Sequence, residues 1–275
     1  MGVLEADCTR HIVRMCGDGF RLGWHESNGG NISYRMTEHD IAACEEDFVS
    51  GGSWHELDEA APALGGMHFM VTRSGGHMRS AHIDPASSLG IIELDEAGSS
   101  WRLVWGLEGG GKPTSELPTH IMAHARRFEV ANGDERVIYH AHCPNIVTLS
   151  TLLAPNSRVW TRALWSCMTE SVVFFPQGVG VVPWMVPGGP EIARVSRDML
   201  VWCRAIIWTQ HGIFASGQNC DDAFGLVHAV EKAAGYYLTA RAANGGKDPI
   251  YTVSDEQLRQ VCARYGLAPN EEFLD

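Results

Sequence analysis

The segment Val137-Ile138-Tyr139-His140-Ala141-His142 carries two imidazoles two residues apart. Strand side chains alternate between faces, so His140 and His142 project from one face and Ala141 from the other. Two same-face imidazoles suit one cation, and Pro144 ends the strand just beyond them. The spacing fits one packed and one exposed histidine equally well. A third imidazole, His211, stands in Trp208-Thr209-Gln210-His211-Gly212, where Gly212 permits a tight turn after an apolar strand. Three nitrogen donors with one open position form the donor set of a catalytic zinc rather than of a closed structural site. A His-Gly pair by itself, however, is usually only a turn.

Thr114-Ser115-Glu116-Leu117-Pro118 brings two hydroxyls and a carboxylate to an expected helix start. Ser115 is the expected N-cap, and the free N–H groups of the first turn suit a phosphate. Glu116 can reach a cation or a substrate carbon, or can merely complement the helix dipole. Glu116, His120 and His124 are spaced by four and form a rival ligand set on one helix face. Histidines at those two positions would also face the core, where a satisfied core histidine is the commoner outcome. Gly106 to Lys112 has the spacing of a phosphate loop, but Pro113 stands where that motif needs Ser or Thr, so the reading is rejected.

These residues need elements to hold them. Helices are expected at Thr9–Trp24, Ser115–Phe128, Pro144–Leu153, Pro190–Trp202 and Asp221–Ala243. A last helix opens on a Ser254/Gln257 capping box and stops before Gly266. Strands are expected at Ile32–Arg35, Met67–Thr72, Val137–His142, Ser171–Phe175, Val179–Pro183, Ala205–Trp208 and Ile213–Ala215, with a hairpin over Gly90–Trp105 turning near Ala97-Gly98. This order predicts an α/β fold, a mixed sheet covered by helices, as a single domain over 1–275. The acidic, Gly-rich stretch 37–66 reads as an insertion carried outside the core.

Composition bounds the function. A net charge of −12 offers no basic stripe for nucleic acid, while a single small phosphate remains within reach of backbone N–H groups. No signal peptide opens the chain, and Val172–Pro187, the most apolar stretch, is broken by prolines and glycines, so no membrane span is expected. Eight cysteines without a Cys-x-x-Cys pair suit reduced thiols, and hence the cytoplasm.

Taken together, Asn28-Gly29-Gly30-Asn31-Ile32-Ser33, Thr72-Arg73-Ser74-Gly75, Thr114-Ser115-Glu116-Leu117-Pro118, His140-Ala141-His142 and Gln210-His211-Gly212 resemble, in order, the class II aldolases, a family of sugar-phosphate lyases. Trp105-Gly106-Leu107, Leu164-Trp165 before Thr169-Glu170, Val182-Pro183-Trp184-Met185-Val186-Pro187-Gly188 and the 37–66 insertion are most similar to the branch acting on L-rhamnulose 1-phosphate. Arg73 and Gly76 depart from its pattern. The shorter L-fuculose-1-phosphate aldolases and the ribulose-phosphate 4-epimerases are the alternatives, and a non-catalytic adducin-like module is a more distant one.

The resemblance implies an α/β/α domain with a mainly antiparallel sheet and a cyclic homotetramer with sites at subunit boundaries. It implies one Zn2+ per subunit on His140, His142 and His211, and cleavage of a phosphorylated ketose to dihydroxyacetone phosphate and L-lactaldehyde. Glu116 would move the proton, and Glu170 of a neighbouring subunit would assist at the aldehyde end. The expected phosphate seat is Asn28, Gly30, Asn31, Ser74, Gly75, Thr114 and Ser115, all turn or helix-start positions.

Overall fold

A computed structural model describes residues 2–275. Among these residues nine strands form one sheet: β1 (Asn31–Arg35), β2 (His55–Glu56), β3 (His68–Thr72), β4 (Leu89–Leu94), β5 (Ser100–Gly106), β6 (Val137–Ala141), β7 (Gly180–Val182), β8 (Ala205–Trp208) and β9 (Gly212–Gly217), in the order β2-β5-β4-β3-β1-β6-β9-β8-β7. Every pairing is antiparallel except that of β7 with β8. The helices are α1 (Asp7–Arg21), α2 (Glu38–Cys44), α3 (Pro85–Ser88), α4 (Leu117–Val130), α5 (Pro144–Leu149), α6 (Ser157–Ser166), α7 (Ser171–Phe174), α8 (Pro190–Met199), α9 (Cys220–Ala243) and α10 (Asp255–Arg264).

Alternation along the strands assigns each face its helices. Tyr139, Ala141, Ile207, Ile213 and Ala215 pack with Ile12 of α1, Ile146 of α5, Leu164 of α6 and Val230 of α9. Ile138, Ile206, Trp208 and Phe214 face the other way, against Ala123 of α4 and Ile192 of α8. His140 therefore shares the α4 face with Ile138. Burying side chains such as Ile138 and Tyr139 contributes roughly 1.5–3 kcal/mol each, and a one-residue slip of β6 would expose both sets to the wrong layer. The register that delivers the histidines is thus set by apolar neighbours.

Three expectations are corrected. Ser171–Phe175 is not a strand: its first four residues form α7, with Ser171 and Val172 buried against the α-helical layer. Ser115 is not the N-cap of α4. Glu116 holds that position without capping by its side chain. The 37–66 stretch is not carried outside the core. Cys44 is buried in the larger core cluster, Ala61 and Leu64 pack with Phe69 and Ile121, and β2 extends the sheet beside β5.

Candidate metal centre

Pairing between β1 and β6 sets Asn31 opposite His140, and the β8–β9 turn brings His211 to the same sheet end. In that turn Gln210, not the glycine, takes the left-handed conformation (φ 60°), and its N–H is held by Ser150 Oγ at 2.8 Å. Gly212 is required for another reason: a Cβ there would collide with the Ala141 carbonyl. Gly29 plays the matching part on the opposite side, since its Cβ would lie 2.7 Å from His142 Nδ1. Behind the turn, His25 bridges Gly29 O (3.1 Å) and Tyr139 Oη (2.9 Å), and burial pushes its pKa down to about 4. Glu231 of α9 accepts the backbone N–H groups of Asn145 and Ile146, at 2.9 and 3.0 Å, and so pins the start of α5 just past His142.

His140, His142 and His211 form a group able to hold a metal ion, with one ligand atom of each lying within 4.8 Å of the others. His140 Nδ1 donates to Ile213 O at 2.9 Å, and His142 Nδ1 donates to Glu26 Oε1 at 2.5 Å. Those partners accept only, so the hydrogens sit on Nδ1 and both Nε2 atoms present lone pairs. The Nε2 atoms lie 3.1 Å apart between His140 and His142 and 3.3 Å between His140 and His211. Converging lone pairs repel unless a cation lies between them. Bonds of about 2.0–2.1 Å at tetrahedral angles put nitrogens about 3.3 Å apart, so this donor set fits a four-coordinate ion such as zinc. Burial, then the neighbouring imidazoles, push His140 well below its ordinary pKa, and burial pushes His211 down to about 4, which keeps both neutral and able to ligate.

Glu116 stands beside this centre, with Oε2 3.9 Å from His140 Nε2. Burial raises its pKa, against the opposing pull of Asn31 Nδ2, which donates to Oε2 at 2.9 Å. The rival set resolves as core histidines. His120 and His124 are buried and both hydrogen-bond Ser33 Oγ, and His120 also meets Asn31.

Most of the expected phosphate seat converges on the same end. Ser74 N–H donates to Lys112 O at 2.8 Å and Thr114 N–H to Thr72 O at 2.9 Å, which aligns the two segments. Ile32 N–H donates to Thr72 Oγ1 at 3.1 Å, bringing the Asn28–Asn31 turn alongside. Asn28, Ser74, Gly75 and Ser115 are exposed there, whereas Thr114 is buried with its Oγ1 accepting from Glu116 N–H. Asn31 departs from expectation: both ends of its amide are committed to Glu116 and His120, so its side chain turns inward. Glu170 is exposed at the N-terminus of α7 and bonds to none of these residues. Sequence reasoning missed Glu26 and His25, which bear no motif of their own. Their signal lay in their position one residue, Ser27, ahead of the Asn28-Gly29-Gly30-Asn31 turn.

The chain is similar to known proteins along nearly its whole length. Residues 10–238 match the family model described as Class II Aldolase and Adducin N-terminal domain. A rhamnulose-1-phosphate aldolase of Pectobacterium carotovorum subsp. carotovorum (strain PC1) is 39% identical over 272 residues, 99% of this chain and 98% of that one. A protein of the same name from Mannheimia succiniciproducens is 36% identical over 272 residues, 99% of each chain. Among solved structures, a sugar-phosphate aldolase from Thermotoga maritima superposes with a TM-score of 0.72 at 29% identity, covering 88% of this chain and 97% of that one.

Proposed function

The chain belongs to the class II aldolase and adducin N-terminal domain family, and from that premise we propose that it is a lyase cleaving L-rhamnulose 1-phosphate to dihydroxyacetone phosphate and L-lactaldehyde. The observation that carries this reading is the intact set: three imidazole Nε2 atoms converging beside a buried carboxylate, in a chain aligned end to end with relatives of that name. A non-catalytic adducin-like module would have no reason to keep that set. A fuculose-phosphate specificity is less well supported, because an L-fuculose-1-phosphate aldolase from Thermus thermophilus is 20% identical and so shares the fold alone.

His140, His142 and His211 would hold one divalent cation, zinc by its donor set. Once bound, it supplies Lewis-acid stabilisation of the negative charge that cleavage leaves on the three-carbon fragment. Asn28, Gly30, Ser74, Gly75 and Ser115 hold the phosphate through hydroxyl, amide and backbone donors beside the start of α4, where buried Thr114 braces the Glu116 N–H. As the carbon–carbon bond breaks, its electron pair stays with the phosphate-bearing fragment. The aldehyde carbonyl forms as the adjacent hydroxyl gives its proton to the carboxylate of Glu170, which passes it to solvent. Glu116 delivers a proton to the fragment's carbon, and removes it in the synthetic direction. Glu170 assists at the aldehyde end from a neighbouring subunit of a homotetramer. Its exposure, without a side-chain cap on α7, supports a role across a subunit boundary rather than within one chain.

A coupled assay for dihydroxyacetone phosphate, with rhamnulose, fuculose and ribulose phosphates offered in parallel, tests the reading. Release from the rhamnulose ester should dominate. Preference for another ester, or isomerisation without release, would replace the assignment. Light scattering on the same preparation checks the tetramer, and a fully active monomer would remove Glu170 from the site.

A further inference from the structure

Behind Glu116 runs a buried polar chain that the cleavage mechanism does not use. Asn31, Ser33, His120 and His124 are each at most 8% exposed. Their contacts run in sequence from helix α4 through strand β1 to the carboxylate. His124 Nε2 meets Ser33 Oγ at 2.8 Å, Ser33 Oγ meets His120 Nδ1 at 2.6 Å, His120 Nε2 meets Asn31 Oδ1, and Asn31 Nδ2 meets Glu116 Oε2 at 2.9 Å.

Donor and acceptor chemistry gives this chain one direction. Asn31 Nδ2 donates to Glu116 Oε2, which leaves the amide oxygen facing His120. An amide oxygen only accepts, so His120 Nε2 carries a hydrogen. Burial keeps that imidazole neutral, which leaves Nδ1 bare and requires the Ser33 hydroxyl to donate to it. Ser33 has a single hydrogen, now used, so His124 Nε2–H donates to Ser33 Oγ. All four bonds therefore point at Glu116, an arrangement in which each bond polarises the next.

We propose that His124, Ser33 and His120 are positioning residues that act through Asn31 to fix the Glu116 carboxylate. With Oε2 held, Oε1, which has no hydrogen-bond partner among the described residues, is the oxygen presented to the reacting carbon. A purely structural account leaves the design unexplained. Apolar side chains of similar shape at these α4 positions would fill the same space without four buried hydrogen bonds that must all be satisfied. The proposal rests on Glu116 being the proton-transfer residue.

The test uses the metal-loaded protein and four variants with rhamnulose 1-phosphate, and the metal-free wild type for spectroscopy. Glu116→Gln comes first, and if it keeps its turnover the role of Glu116 is wrong and the relay has no object. If it loses turnover, His120→Phe should lower kcat by about 10- to 100-fold, the scale on which small misplacement of a reacting group acts. KM should stay within about twofold under that loss, with metal content full. His120→Gln, whose amide nitrogen can still donate to Asn31, should recover most of kcat. Equal loss in both His120 variants, or no loss in a folded His120→Phe, overturns the proposal. Should His120→Phe fail to fold, Ser33→Ala cuts the same chain with a smaller change and carries the same expectation. Nitrogen-15 spectra of imidazoles in the metal-free wild type give an independent reading: His120 and His124 should both be neutral with hydrogen on Nε2. Hydrogen on Nδ1 of either residue would overturn the directional chain without any appeal to rate.

Discussion

At the scale of single residues, the partner behind a ligand matters as much as the ligand. Glu26 is exposed, yet its carboxylate accepts from His142 Nδ1 and so turns Nε2 toward the centre. The same bond, with a further one from the residue's own backbone N–H, holds the Glu26 carboxyl below its ordinary pKa against the desolvation that opposes it. Losing such a partner typically costs about 10- to 100-fold in metal affinity. Glu26→Gln should therefore weaken metal binding by roughly that factor while leaving the fold intact, and a competitive chelator titration measures it. Unchanged affinity would mean that His142 is oriented by packing alone. The contrast with His140 explains what was legible at this scale. His140, His142 and His211 carry signatures of spacing and turn chemistry, so sequence alone singled them out. Glu26 and His25 act through atoms brought near by the β1–β6 pairing, and no local pattern encodes that pairing. Asn31 was legible as a polar turn residue but not in its direction, because only its packed neighbours decide which way an amide points.

At the scale of elements, period and capping were good guides where one force dominated. The Ser254/Gln257 capping box, the hairpin turning at Gly98 and the alternation of β6 all form as expected. Ser171–Phe174 misled because Ser-Val-Val-Phe has strand-forming side chains, while its packing against α9 and α10 favours a single helical turn. Ser115 misled because the N-terminus of α4 is set one residue later, which puts the side chain of Glu116 beside His140 instead of in a cap. The β8–β9 turn supplies the sharpest test of how an element serves the site. Gly212 lies against the Ala141 backbone carbonyl, which cannot yield as a flexible side chain would. Gly212→Ala should cost about 1–3 kcal/mol of stability through overpacking and displace His211 with the turn. Urea unfolding of the metal-free protein and a metal titration should both register it. A loss of stability with metal affinity intact would show that the turn can shift without moving the imidazole.

For the whole molecule, the polar interior on which the site depends makes stability sensitive to mild acid. His25 and His120 are held neutral, with burial pushing their pKa values down to about 4 and about 3, and His124 is pushed well below its ordinary value, again chiefly by burial. An unfolded histidine titrates near 6.5. Between about pH 6.5 and those depressed values the unfolded chain binds protons that the native chain does not, so stability rises with pH across that window. The stability that these residues confer is present above about pH 6.5 and is lost progressively as the pH falls through that window. Each contributes a slope of up to about 1.4 kcal/mol per pH unit. Glu116 and Glu231 act in the opposite sense, since burial raises their pKa and the native state takes up their protons first. Three buried imidazoles outnumber these two carboxyls, so the net sign between about pH 6.5 and 5 is that of the histidines. In metal-free protein the urea midpoint should therefore fall steadily over that interval, and unfolding at pH 5.5 should take up protons while unfolding at pH 7.5 takes up almost none. With metal bound the fall should be steeper, because His140, His142 and His211 must then surrender the ion as well as gain protons. A midpoint that stays level from pH 6.5 to 5 would mean that the buried imidazoles admit a proton without unfolding. The closed polar interior on which both the metal centre and the Glu116 relay depend would then be an incorrect description of the native state.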